Sequence, residues 1–230
     1  MNKVTWIIFG AVVVLVLGGL VVYSRISNPA MDVSSINANA ISAASEQNGQ
    51  IADQVYGNPD AKVVLVEYGD FQCPSCGAAH PQIKEAMETY KNDVAFIFRN
   101  FPLTTIHPNA RVSSAAAEAA GLQGKYWEMH NIIYEAQADW EKLTGDQRTN
   151  IFVGYATALG LDKDKFTTDL ASKAVNTKIS FDQALGKKIG VNATPTFYLN
   201  GEKLSETDAS QIVRGNTTVL TGLFDKALAK

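Results

Sequence analysis

The sequence predicts an α/β fold: a strand–helix–strand unit, a block of helices, a β-hairpin and a last helix, preceded by one apolar N-terminal helix. Three observations predict this order. Lys62–Tyr68 is a nearly continuous apolar run, residues 109 to 188 carry repeated helical periodicity, and Asn200-Gly201 separates two short strand-like runs. Together they indicate one mixed α/β domain with a helical insertion.

The N-terminal run Val4–Ser24 has 21 uncharged residues between Lys3 and Arg25. As a helix it would rise about 31 Å, which is roughly the thickness of a bilayer's hydrocarbon core. A cleaved signal peptide is the alternative, but this run is longer than the usual apolar region of such a peptide. We therefore predict that residues 1–24 form a single-pass transmembrane signal anchor with the rest of the chain outside the cytoplasm.

Residues 25–50 are rich in Ser, Asn and Ala and show no sustained periodicity. Such a composition is typical of a flexible linker. We expect the folded domain to occupy residues 51–230.

The strand–helix–strand unit begins with Lys62–Tyr68, whose β-branched apolar residues are typical of a strand buried on both faces. Ser75–Thr89 then carries apolar residues at helical spacing, with Pro81 inside, and Val94–Phe98 predicts a second strand. A connection of this kind is right-handed in nearly all known proteins, so the two strands should lie parallel.

The remainder of the chain is predicted to be mainly helical. Asn-Gly between two β-type runs is a strong hairpin signal, so Thr196–Leu199 should pair with a short strand near Lys203. A last amphipathic helix should follow, with a break at Gly215. The helices of the block are predicted at Asn109–Ala120, Tyr126–Ala138, Gln147–Leu159, Lys163–Ala171 and Val175–Lys188.

Cys73 and Cys76 are the only two cysteines of the 230 residues, and they are three positions apart. A pair at this spacing at a helix start can form a disulfide that another thiol reopens, because free N–H groups and the helix dipole favour the Cys73 thiolate. Pro74 fits the first helical position. Half of a zinc site and a purely structural disulfide remain as alternatives. However, structural zinc is usually bound by four ligands, and a disulfide that closes so short a loop stabilises the fold only weakly.

The formal net charge is −3, and no basic cluster marks a nucleic-acid-binding face. His107 and His130 lie in helix-forming stretches near aromatic or apolar residues. We interpret both histidines as packing or helix-capping residues. No nucleic-acid partner is expected.

Four separated motifs carry a resemblance to a known family. They are Asp70-Phe-Gln-Cys-Pro-Ser-Cys76, His107-Pro-Asn-Ala110, Gln123-Gly-Lys-Tyr-Trp127 and Gly190-Val-Asn-Ala-Thr-Pro-Thr-Phe197. In this order the chain, from about residue 51 to 228, resembles DsbA-like thiol-disulfide oxidoreductases. The resemblance implies a thioredoxin fold with an all-helical insertion at about 105–188.

The resemblance also implies roles for single residues. Cys73 would be the nucleophile that forms a mixed disulfide with the substrate, and Cys76 the buried partner that resolves it. Thr194-Pro195 matches the family's cis-proline loop, although an ordinary proline before a strand fits the local pattern equally well. We expect Pro74, Ser75, Thr194 and Pro195 to contact the substrate.

Glu67 lies six residues before Cys73, where thioredoxin-like proteins carry a buried acid. Desolvation there would raise its pKa and let it exchange protons with Cys76. The alternative is a solvated glutamate at a strand end.

The implied function is an extracytoplasmic enzyme that introduces disulfides into reduced secreted or cell-envelope proteins, with no metal or organic cofactor. A membrane quinone-linked reoxidase, DsbB-like or vitamin K epoxide reductase-like, would restore its disulfide.

Strong oxidants of the family carry Pro-His between the cysteines, whereas this chain has Pro74-Ser75, so a reductase or isomerase is an alternative. We expect a Cys73 pKa between those of thioredoxin, about 7, and DsbA, about 3.5. A tethered module that binds a soft metal such as copper(I) is the competitor outside the enzymes.

Overall fold

The computed structural model describes residues 3–27 and 31–230. It divides at Asp32 and Val33 into an N-terminal unit and a domain. The N-terminal unit contains α1, Lys3–Ser27, where the sequence predicts a helix. Among the described residues, no helix meets the combined requirements of length and apolar character for crossing a membrane. The membrane anchor therefore stays a prediction.

The domain is built on a five-stranded mixed sheet with the order β1-β3-β2-β4-β5. β2 and β3 are parallel, and the other neighbouring pairs are antiparallel. Both predicted central strands and both strands of the predicted hairpin are present, whereas the edge strand β1 was not predicted. The strands are β1 Val55–Gly57, β2 Val63–Gly69, β3 Val94–Asn100, β4 Thr196–Leu199 and β5 Glu202–Lys203.

α2, Pro74–Tyr90, connects β2 to β3 and contains Pro81. Six further helices form the block between β3 and β4, with bounds within a few residues of the predicted ones, and the predicted helix over Tyr126–Ala138 is divided in two near Ala136. Two more helices follow the hairpin, separated near Gly215 as expected. The remaining helices are α3 Ala110–Gly121, α4 Tyr126–Glu135, α5 Gln137–Trp140, α6 Gly145–Ala158, α7 Lys163–Leu170, α8 Lys173–Lys188, α9 Glu206–Val213 and α10 Thr217–Leu228.

The hydrophobic core lies around β2 and β3. Leu65 and Val66 are both buried although they point to opposite faces, which explains why the strand is apolar without alternation. On β3, Phe96 and Phe98 pack against aromatic side chains of α4. Burial on both faces fixes the carboxyl end of β2, from which the cysteine segment leaves.

The predicted flexible linker requires a correction. Residues 28–30 lie outside the described residues, but residues 33–50, which we call the N-terminal strap, pack on the domain. The Lys188 Nζ donates hydrogen bonds of 2.7–3.1 Å to the carbonyls of Val33, Ser34 and Ile36. The Arg99 guanidinium donates to the carbonyls of Ala38 and Ala40. Backbone carbonyls bind these cations whatever the side chains are, so a polar composition did not reveal the contact.

A buried charge cluster lies just beyond the end of the strap. Asp53 pairs with Arg99 at 2.6 Å and with Lys178 at 2.7 Å, and Lys178 also pairs with Asp182 at 2.6 Å. All four side chains are almost completely shielded from solvent. Burial alone would raise the pKa of Asp53. The two neighbouring cations stabilise its charged form more strongly, so its pKa lies well below the ordinary value.

Candidate active site

Cys73 lies at the N-cap of α2, and Pro74 occupies its first turn. The segment from Asp70 to Gln72 brings the chain from the end of β2 to this helix start. The first intrahelical bond runs from the Gly77 N–H to the Cys73 carbonyl at 3.1 Å. Cys73 is 7% exposed and Cys76 is completely buried, and both are free thiols. One turn of helix therefore separates a slightly exposed cysteine from a completely buried one.

The two thiols have opposite acidities. The pKa of Cys73 is lowered from 9.0 to about 5, chiefly because its thiolate accepts a hydrogen bond from the Cys76 thiol, with further bonds from the Thr194 side chain and the backbone at Cys76 and Ser75. The pKa of Cys76 is raised well above 9.0 by burial first, and also by its hydrogen bond to Cys73 and by the charge of Glu67. At neutral pH Cys73 is a thiolate and Cys76 a thiol.

Glu67 lies on β2, paired with Phe98 of β3 on one side and Phe197 of β4 on the other. It is 2% exposed, and its Oε1 has no hydrogen-bond partner among the described residues. Burial, together with repulsion from the Cys73 thiolate, raises its pKa from 4.5 to about 8, while a hydrogen bond with Cys76 opposes the rise. Glu67 is thus a buried acid in contact with Cys76, and it holds its proton at neutral pH.

The Thr194–Pro195 peptide bond is cis, as the resemblance implies. The Cys73 thiol lies 3.4 Å from the Thr194 carbonyl oxygen. β4 places this loop there, since its first residue Thr196 pairs with Tyr68 near the end of β2. The Thr194 hydroxyl is buried and, apart from the Cys73 sulfur, has no hydrogen-bond partner among the described residues. It is free to donate to the Cys73 thiolate.

Pro74 and Ser75 are exposed beside Cys73. The sequence predicts substrate contacts for both, and their position leaves room for a substrate segment. Ser75 acts on Cys73 through its backbone, which helps to lower the thiol's pKa. All seven predicted site residues therefore lie at one end of the sheet.

Residues of the helical block also hold the cysteine segment, and sequence reasoning missed them. The Gln137 side-chain amide donates to the carbonyls of Phe71 at 2.6 Å and Cys73 at 3.1 Å. The Gln72 side chain accepts from the Asn109 N–H and donates to the Glu141 carbonyl. Gln137 lies 64 residues from Cys73, and its contacts have no local pattern that the sequence could reveal.

The two histidines have different surroundings. His130 is buried among aromatic rings that include Phe71, Phe98 and Tyr134, so the predicted packing role is correct. Burial lowers its pKa well below 6.5. His107 instead contacts the Asp70 carboxylate, with 2.8 Å between Nδ1 and Oδ2. In the described part of the chain, no three His, Cys, Asp or Glu side chains are grouped to hold a metal ion.

The arrangement can perform thiol-disulfide exchange. The Cys73 thiolate can attack a disulfide, or serve as the leaving group when a second thiolate attacks the other sulfur of a mixed disulfide. Cys76 can close or open the intramolecular bond, and Glu67 can take up or supply its proton. The Thr194-Pro195 loop lies against the reacting sulfur.

Part of this chain is similar in sequence to part of longer proteins. A relative described as Na(+)/H(+) antiporter NhaA 1, from Salinispora arenicola (strain CNS-205), is 40% identical over 151 residues. The match covers 66% of this chain but only 22% of that relative, so the chain spans about a fifth of its length.

Two solved structures have the same fold. BdbD from Bacillus subtilis in its oxidised form has a TM-score of 0.65 and 22% identity, with 83% of this chain and 98% of that chain covered. A thioredoxin-like oxidoreductase from Silicibacter pomeroyi DSS-3 has a TM-score of 0.56 and 25% identity, with 70% and 90% covered. A family model described as thioredoxin matches residues 49–214, which is more than half of the chain. The protein belongs to the thioredoxin family.

Proposed function

We propose that this protein is an extracytoplasmic thiol-disulfide oxidoreductase that transfers the Cys73–Cys76 disulfide to thiols of secreted or cell-envelope proteins. The observation that carries the proposal is the contrast between the two cysteines. A thiolate with a pKa of about 5 lies at the helix start, and a buried thiol with a raised pKa lies one turn later. A structural disulfide needs no such contrast, whereas exchange needs one sulfur that reacts and one that resolves.

The reaction balances as a two-electron exchange. A substrate thiolate attacks Cys73, the bond between Cys73 and Cys76 breaks, and Cys76 leaves as a thiolate that Glu67 can protonate. A second substrate thiolate then attacks the substrate sulfur of the mixed disulfide, and Cys73 leaves. The substrate is oxidised to a disulfide and the enzyme is reduced to the dithiol.

The oxidising direction rests on the acidity of Cys73. A thiol of low pKa is a good leaving group, and a stable thiolate makes the disulfide form more oxidising. The pKa of about 5 falls between the values of thioredoxin, about 7, and DsbA, about 3.5. We therefore expect a reduction potential between about −270 and −120 mV.

The decisive measurement is the equilibrium of the Cys73–Cys76 pair in glutathione buffers, read by alkylation and mass spectrometry. A potential near −270 mV would support a reductase instead.

A reduced, unfolded substrate protein should gain disulfides with the oxidised wild type. Cys73→Ser should be inactive, and Cys76→Ser should accumulate a mixed disulfide when it is given a substrate disulfide, because Cys73 can attack that bond but no resolving thiol remains. Glu202→Gln, which changes an exposed residue of β5, should stay active. Stoichiometric copper(I) binding without any substrate oxidation would favour the metal-binding module.

The location and the reoxidation partner are further parts of the proposal. The uncharged run Val4–Ser24 and the exposed apolar side chains of α1, such as Leu15, support a membrane anchor. A quinone-linked membrane protein of the DsbB or vitamin K epoxide reductase type would then reoxidise the dithiol in the same membrane. Alkylation of Cys73 in intact cells by a membrane-impermeant reagent tests the location, and labelling only after lysis would contradict it.

A further inference from the structure

Asp70 has a buried carboxylate with both oxygens engaged. Its Oδ1 accepts from the Gln72 N–H at 2.8 Å. Its Oδ2 accepts from the Leu103 N–H at 2.9 Å and lies 2.8 Å from the His107 Nδ1. Since a carboxylate can only accept, the Nδ1 of His107 donates in this contact. The side chain thus joins the cysteine segment to the loop that follows β3.

The main chain of the same residue contacts both cysteines. The Cys73 N–H donates to the Asp70 carbonyl at 3.0 Å. A backbone hydrogen bond from Asp70 to the Cys76 sulfur favours the Cys76 thiolate, against the larger effect of burial. A rotation of Asp70 about its backbone would therefore disturb the bond that favours the Cys76 thiolate.

His107 is well placed to prevent that rotation. It closes a tight turn in which the Leu103 carbonyl accepts from the Ile106 and His107 N–H groups at 3.0 and 2.9 Å. The neighbouring Phe101 N–H is bonded to the Gly69 carbonyl at 2.7 Å, so the loop is fixed to the end of β2. A histidine on a fixed turn is a firm anchor for the carboxylate.

We infer that His107 is a positioning residue for the thiol-disulfide exchange proposed above: by holding the Asp70 carboxylate it fixes the backbone that stabilises the departing Cys76 sulfur. When a thiolate attacks Cys73, the S–S bond breaks and its electron pair moves to Cys76. The Asp70 backbone donates a hydrogen bond that favours negative charge on that sulfur. Without the His107 contact this donor is less well oriented, and the opening of the disulfide is slower.

The test uses three variants of His107 in the full chain. In His107→Asn the side-chain Nδ2 has the same bonded path from Cβ as the imidazole Nδ1, so it can still donate to Asp70. His107→Leu has a similar size but no donor. His107→Gln has its amide one carbon farther out, at the position of Nε2, and is the matched polar control.

The readout is the rate at which excess glutathione opens the Cys73–Cys76 disulfide, followed by acid quench and mass spectrometry. We expect His107→Leu and His107→Gln to be about tenfold slower than wild type, the effect of one lost hydrogen bond to a charged group. His107→Asn should be within about twofold of wild type. The thiolate absorbance of Cys73 should titrate at the same pH in all four proteins, because the bonds that stabilise this thiolate do not involve His107.

Two results would overturn the inference: wild-type rates in both His107→Leu and His107→Gln, or a His107→Asn rate as slow as that of His107→Leu. A shift of the Cys73 titration in parallel with the rates would also overturn it, because it would indicate a general disturbance of the site. Glutathione opens the disulfide whether or not a protein substrate is oxidised. Failure of the wild type to oxidise a reduced protein would therefore reject the proposed function separately.

Discussion

Replacing Glu67 with glutamine should make the dithiol form more stable and less active. Glu67 is 2% exposed, and its pKa is raised to about 8, chiefly by burial and then by repulsion from the Cys73 thiolate. A glutamine of nearly the same shape stays neutral at every pH. The substitution removes a proton-carrying group while the packing is preserved.

The magnitude follows from linkage. The folded-state pKa of Glu67 is raised from 4.5 to about 8, so its contribution to stability is fully present below pH 4.5 and is lost as the pH rises to 8. At pH 7 the free energy of unfolding of the wild type should be about 3 kcal/mol lower than that of a protein with a neutral side chain at this position. At pH 5 the difference should be about 1 kcal/mol. The advantage of Glu67→Gln over wild type should therefore grow by about 2 kcal/mol between pH 5 and pH 7.

Urea unfolding of both proteins as dithiols, at pH 5, 6, 7 and 8, measures this difference. Other titrating groups are common to the two proteins and cancel in the comparison. Glu202→Gln, which removes an exposed carboxylate from β5, shows what loss of charge alone does. In parallel, disulfide exchange by Glu67→Gln should be about 100-fold slower, because Cys76 loses its proton partner.

A stability difference that stays constant from pH 5 to pH 8 would refute the reasoning, since it would mean that Glu67 titrates at its ordinary pH. An unchanged exchange rate in Glu67→Gln would remove its role in proton transfer even if the stability result held. The two readouts change in opposite directions, so general damage to the fold cannot imitate the predicted outcome.

Three further substitutions test other parts of the structure. Thr194→Val removes the hydroxyl near Cys73 and should raise the pKa of Cys73 above 5, as seen in thiolate absorbance; an unchanged titration would contradict the contact. Gln137→Leu removes two hydrogen bonds to the cysteine segment and should lower the free energy of unfolding by about 1–3 kcal/mol in urea, whereas no loss would show that the bonds contribute nothing. Asp53→Asn leaves the buried Arg99 without its carboxylate and should cost about 3–5 kcal/mol in thermal or urea unfolding; a loss below about 1 kcal/mol would show that water compensates the charge.

The sequence was sufficient for the parts of the fold that depend on local patterns. The apolar run at β2 and the Asn200-Gly201 turn each form where predicted, because burial on both faces and positive φ angles leave distinct residue signatures. Cys73 and Pro74 likewise identified the helix start. These features depend on neighbours within a few positions, which a single sequence contains.

Other parts depend on contacts between distant residues and could not be predicted. Arg99 and Lys178 have the composition of ordinary surface charges, yet both are buried against Asp53, which is 46 and 125 positions away. The N-terminal strap resembled a linker because its contacts use backbone carbonyls. His107 was interpreted as a packing or capping residue because the sequence does not show that Asp70, 37 positions earlier, lies opposite it.

The acidity of Cys73 and the protonation of Glu67 are consequences of one another. Three acidic groups, Cys73, Cys76 and Glu67, share a small buried volume, and a second negative charge there would be repelled by the first. The Cys76 thiol, the Thr194 side chain and the backbone at Cys76 and Ser75 favour the charge on Cys73, so Cys76 and Glu67 keep their protons. Closing the disulfide removes that charge, and with it one of the causes that hold the proton on Glu67. Burial, the larger cause, remains when the disulfide is closed, so Glu67 keeps a raised pKa and can supply the proton that Cys76 needs when the disulfide opens.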